Sequence, residues 1–129
     1  MTQTITREKK LSQTALRAFF KIAPLWGLSN DDQIVLLGKP SRSQFFKWKK
    51  EQTGKASPDT LERISHLVGI YKSLQILLPD QESADSWIKK PNAAALFSGK
   101  SALDRLLLGQ VSDLFIVRQY LDAQRGGWA

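Results

Sequence analysis

Cysteine is absent from the 129 residues, which excludes a disulfide framework and a thiolate metal site and fits a reducing, cytoplasmic setting. Histidine occurs once, at His66, so metal binding lacks a second imidazole and a nucleophilic triad lacks a well-placed base. A helix-surface or internally satisfied histidine is the expected role of His66. No run approaches the ~20 consecutive apolar residues of a membrane span. The opening MTQTITREKK has no apolar core of the signal-peptide kind, and a soluble chain is expected. The glycines form no phosphate-cradling loop, the acids are scattered, and no alternating pattern marks a strand. These absences point away from an enzyme, from cofactors and from bound metal, and toward an all-α chain.

Apolar residues make up 42% of the sequence, enough for one packed domain or two small ones sharing a core. The net charge of +7 is unevenly placed. Residues 1–55 hold 11 basic and 4 acidic side chains, whereas 56–129 hold 8 of each. Concentrated positive charge suits phosphate binding, because each neutralised phosphate releases counterions. The alternative is a solvated basic face with no ligand.

That charge surrounds Leu28–Lys50, LSNDDQIVLLGKPSRSQFFKWKK. Ser29 is placed to cap a helix, with Asp32 three residues on; Gly38 tolerates the left-handed turn, and Pro40 cannot continue the helix. Ser41 then caps a second helix and Gln44 completes a capping box. Helix, tight turn and a second helix with polar and basic residues near its start describe a helix-turn-helix. Arg42, Ser43, Gln44 and Lys47 are expected to face the major groove, and Lys39, Lys49 and Lys50 to meet phosphates. Phe45 and Trp48 share the inward side, whereas Arg42, Ser43, Phe46 and Lys47 project elsewhere.

Before this motif, residues 1–11 read as a polar arm. Ser12 then caps a helix carrying Leu16, Phe19, Phe20 and Ala23 that Pro24 ends or kinks. After it, Lys49–Ala56 reads as a basic link. Ser57-Pro58-Asp59 is a strong helix start, and Leu61, Ile64, Leu67, Val68, Tyr71, Leu74 and Leu78 mark a central packing helix ending at Pro79. Asp80–Lys90 is a short helix anchored by Trp87 and Ile88. An irregular apolar stretch, AAALFSG, follows it. Ser101 with Asp104 starts another short helix ending at Gly109. A last helix over 111–124 carries Val111, Leu114, Phe115, Val117 and Leu121, interrupted by Arg118. The expected organisation is a polar arm (1–11), a helix-turn-helix domain with the central helix (12–78), and a C-terminal domain with a tail (79–129).

In the second half, Trp87, Pro91-Asn92, Gly99-Lys100-Ser101-Ala102-Leu103-Asp104, Gly109 and Val117–Gly126 (VRQYLDAQRG) come in an order and spacing that resemble the toxin-binding domain of the Xre/MbcA/ParS antitoxin family. Leu25–Ser29, Leu36–Gly38, Arg63-Ile64 and Gly69–Tyr71 resemble that family's Xre-like region. Ala102 stands where a proline is common in the family.

The resemblance implies the antitoxin of a type II toxin–antitoxin pair. It would bind a NAD-depleting RES-domain toxin directly and repress the shared operon through the helix-turn-helix. It places toxin contact in the C-terminal domain, where Leu103, Tyr120, Leu121, Arg125, Gly126, Trp128 and Ala129 are the candidates. Gly126-Gly127 lets the backbone leave the last helix, and Trp128 offers a large interface anchor. A single helix-turn-helix buries little surface, so a homodimer or a larger complex with toxin is expected. The other reading is a stand-alone repressor whose C-terminal half is a dimerisation domain.

Overall fold

The axis of the molecule is α4, Pro58–Leu77. Its start is locally encoded: the Thr60 amide donates to Ser57 Oγ at 3.1 Å, Pro58 opens the helix and Asp59 sits in the first turn. The computed structural model describes residues 2–126, with side chains from Arg7 onward. Ile64, Leu67, Ile70 and Leu74 of α4 are buried. The most extensive helix packing joins α4 to α7 (Val111–Gly126), and the next joins α4 to α1 (Thr2–Leu25). Leu114, Val117 and Leu121 of α7 and Leu16, Phe19, Ile22 and Ala23 of α1 fill the space between them. The central packing helix read from the sequence is therefore present and central.

The first helix corrects the expected polar arm. It is helical from Thr2, and no glycine or proline interrupts it before Pro24, which lies in its last turn. A helix already nucleated on a packed face propagates through polar residues that lack a breaker. Ser12 is consequently no N-cap. It is buried within the helix, and its hydroxyl accepts the Ala56 amide at 3.0 Å.

Between α1 and α4 lie α2 (Asn30–Leu36) and α3 (Arg42–Glu51). Beyond α4, Asp80 caps the short α5 (Gln81–Ser86), and 3-10 turns follow at Trp87–Lys89 and Ala95–Phe97. The helix α6, Ala102–Leu106, is closed at its start by reciprocal bonds between Ser101 and Asp104. Among the described residues the only extended pairing is one bridge between Pro91 and Ser101. Arg105 Nε donates to Asp113 Oδ1 at 2.8 Å, fastening α6 to the first turn of α7. One contiguous core runs from Leu16 and Phe45 to Ile88, Phe97 and Leu106. Both halves of the sequence share it. Phe115 departs from its expected inward position: it is half-exposed, its ring edge-on to His66 at 5.7 Å.

Candidate nucleic-acid interface and partner surface

The turn between α2 and α3 is specified by local chemistry. Asp32 N donates to Ser29 Oγ at 3.0 Å, and the Ser29 amide returns a bond to Asp32 Oδ2 at 3.4 Å. After Leu36 and Leu37, both fully buried, Gly38 and Lys39 take φ of 94° and 62°. Glycine meets that geometry without strain, whereas the left-handed Lys39 is unusual for a side chain with a Cβ. It follows from the short connection to Pro40, and residue type gave no warning of it. At α3 the Gln44 amide donates to Ser41 Oγ at 3.1 Å. The expected reciprocal bond from the Gln44 side chain is not formed, so the box is half made; the Ser41 amide sits at an exposed turn open to water.

The first turns of α4 brace this connection from below. Thr60 Oγ1 donates to the Leu37 carbonyl at 2.8 Å. Arg63, itself buried, donates through Nε to Asp59 at 2.9 Å and lies under Gly38. A Cβ on Gly38 would press on both Asp59 and Arg63. The α2–α3 turn is therefore held in one geometry by α4, which fixes the direction in which α3 presents its outer face.

On α3, Phe45 and Trp48 are buried, as their spacing predicts, and Phe45 packs against Phe20 with ring centroids 6.0 Å apart. Arg42, Ser43, Phe46, Lys47, Lys49 and Lys50 are exposed and Gln44 is half-buried. Not all of the expected cations point outward alone. Arg42 Nη1 pairs with Asp31 Oδ1 at 2.9 Å and its guanidinium lies 5.5 Å from the Phe46 ring centroid. Lys49 Nζ donates to Asn30 Oδ1 at 2.7 Å and so leans back over α2. Among the described residues, Lys39, Lys47 and Lys50 have no carboxylate partner. Phe46 belongs to this outer face as well. Its exposure was readable, because adjacent aromatics on a helix cannot share one side, yet it carried no expected role at the site.

The C-terminal candidates separate. Leu103 and Leu121 are only 7% and 2% exposed and contribute to the core, and Leu121 also lines the cleft at this end of α7. Apolar residues at helical spacing pack inward first. Tyr120 is half-buried, edge-on to Phe97 at 5.4 Å. Arg125 donates from Nη1 to Ser73 Oγ at 3.3 Å, and the Ser73 hydroxyl donates to Asp122 Oδ1 at 2.9 Å, a link between α7 and α4. Gly126 is exposed at the end of α7; Trp128 and Ala129 lie outside the described residues. A cleft of about 260 Å³ opens here, lined by Leu74, Leu77, Leu78, Trp87, Tyr120 and Gln124 among others.

His66 faces Arg118 and Phe115 across the α4–α7 contact, with Arg118 Nη1 3.5 Å from Nδ1 and also donating to the Ser65 carbonyl at 3.3 Å. Burial pushes the imidazole below its ordinary value; the Arg118 charge acts the same way and Glu62 opposes them. A neutral histidine in a packed contact matches its expected role.

Comparison with known proteins bears on both halves. Residues 6–69 match the antitoxin Xre-like helix-turn-helix domain, and residues 73–127 match the antitoxin Xre/MbcA/ParS C-terminal toxin-binding domain. The chain is also 58% identical over 112 residues to the uncharacterized protein y4oB of Sinorhizobium fredii (strain NBRC 101917 / NGR234), covering 87% of this chain and 84% of that protein. With a helix-turn-helix domain followed by a toxin-binding domain on one helical core, the chain belongs to the Xre/MbcA/ParS antitoxin family.

Proposed function

We propose that this antitoxin neutralises a NAD-depleting RES-domain toxin by direct contact and represses their shared operon through α3. The observation that carries the DNA half is the outer face of α3. It is a braced helix that presents Arg42, Ser43, Phe46, Lys47 and Lys50 within the half of the chain that holds the entire excess positive charge. The toxin half rests on the C-terminal domain assignment and on the apolar cleft beside Tyr120. A NAD-consuming site must hold a flat ring and anionic phosphates, and α7 with its tail offers an aromatic and an arginine to such a site. Arg42 and Lys47 are assigned to base edges with Ser43 and Gln44 beside them, while Lys39, Lys49 and Lys50 meet phosphates. Two copies on a palindrome would supply the buried area that one helix-turn-helix lacks.

Co-expression with the product of the adjacent reading frame tests the pair. Restored growth, preserved cellular NAD and co-purification are expected, together with a gel shift on the DNA upstream of the two genes. A protein that shifts this DNA but neither binds the neighbouring product nor protects cells from it would instead be a stand-alone repressor.

A further inference from the structure

Phe46 keeps 40% of its surface exposed on the outer face of α3, and among the described residues of that helix it is the one exposed apolar side chain. Helical spacing places Arg42 one turn before it and Lys50 one turn after it, so cations flank the ring along the same face. The cations that flank the ring favour a polyanion beside it. The ring is also held in place. It stands edge-on to the buried Phe45 at 5.1 Å and 69°, with the Arg42 guanidinium 5.5 Å from its centroid. Arg42 in turn is anchored by Asp31. Phenylalanine offers neither donor nor acceptor, and the one apolar mark in the major groove is the C5-methyl group of thymine. We infer that Phe46 is a specificity-determining residue that contacts a thymine methyl group beside the base pair met by Arg42. This rests on the assignment of α3 as the reading helix.

The test is selection of bound sequences from a randomised duplex library by the full-length chain, alone and with its toxin, in wild-type, Phe46→Ala and Phe46→Leu forms. A thymine preference at one position of each half-site is expected for the wild type, kept in part by Phe46→Leu and lost in Phe46→Ala. Replacing that thymine by deoxyuridine in the selected duplex should weaken the wild type about fourfold, the worth of one methyl-sized apolar contact. The same replacement should leave Phe46→Ala unchanged. An unaltered selected sequence in Phe46→Ala, or no loss on deoxyuridine replacement in the wild type, overturns the inference while leaving DNA binding by α3 standing. A changed sedimentation coefficient with unaltered sequence preference assigns the ring to a protein contact and overturns it too. If the wild type selects no sequence at all, the reading of α3 itself fails.

Discussion

The hydroxyl of Ser12, in the middle of α1, accepts the amide hydrogen of Ala56 across 44 positions of sequence at 3.0 Å. Both residues are buried, so this bond ties the first helix to the link that leads from α3 into α4. Ser12→Ala removes the acceptor and leaves a buried amide without a partner, at a cost of about 1–3 kcal/mol. A lower midpoint of urea unfolding with an unchanged slope is the expected result. An unchanged midpoint would mean that water reaches the amide.

That bond also shows what was legible in the sequence and what was not. Caps are written locally, and Ser29, Ser41, Ser57, Asp80 and Ser101 each accept the backbone amide three residues on. Ser12 carries the same local signature, yet its partner lies in another element, and no local pattern distinguishes a cap from a buried cross-link. Residues 7–11 of α1 are exposed and include one apolar residue, Leu11, too little to show a helical period. At the candidate site, the buried and exposed faces of α3 followed from spacing alone. The pairing of Arg42 with Asp31 across the turn, and of Lys49 with Asn30, depends on how α2 and α3 cross, which spacing does not encode.

Phe45 is fully buried against Phe20, so Phe45→Ala should lower stability by about 3–5 kcal/mol. DNA binding would be lost with the fold, and circular dichroism should report the unfolding and a gel shift the lost binding. Arg42→Ala is the contrasting variant: its pair with Asp31 is exposed, with side-chain exposures of 64% and 83%, and contributes about 0–1 kcal/mol. The fold should survive while affinity for a selected operator falls. Equal affinity of the two forms in a gel shift would displace Arg42 from the reading face.

Lys47 and Lys50 are exposed without a carboxylate partner among the described residues, and they separate base reading from phosphate contact. Lys50→Ala should weaken binding to all duplexes alike and make the slope of log affinity against log salt shallower by about 0.9, as expected for one lost phosphate contact. Lys47→Ala should narrow the gap between the selected and a random duplex. Titrations at a series of salt concentrations read both effects, and the same response from both variants would remove the distinction.

His66 predicts a pH dependence. Burial and Arg118 lower its native affinity for protons, so between that lowered value and the ordinary ~6.5 the unfolded chain binds more protons than the native one. Stability therefore rises with pH through this window and is lost as pH falls below about 6.5. Asp80, held below the usual carboxylate range by Ser83, loses its contribution only at more acidic pH. His66→Gln should flatten the unfolding midpoint across the upper window and leave the acid limb in place. An unchanged profile would assign the dependence to other groups.

The last prediction separates the cleft from the tail. The cleft beside α7 is walled by Trp87, Tyr120 and Gln124, and Arg125, the next residue of α7, bonds to Ser73 of α4. Truncation after Gln124 removes Arg125, Gly126, Gly127, Trp128 and Ala129 but none of the buried residues of α7. Folding and operator binding should therefore persist, with the Ser73–Asp122 bond still joining α7 to α4. If the partner is the proposed NAD-depleting toxin and the tail enters its NAD site, the truncated protein still associates with the toxin but no longer protects cellular NAD. Gln124→Arg has the opposite design: it keeps the tail and places a charge at the mouth of the cleft, so it should weaken association itself. Measuring toxin binding by co-purification and NAD by enzymatic assay in the same cells distinguishes the two contributions. A truncated chain that still silences the toxin fully, beside a Gln124→Arg chain that does not bind it, would place neutralisation in the helical surface alone.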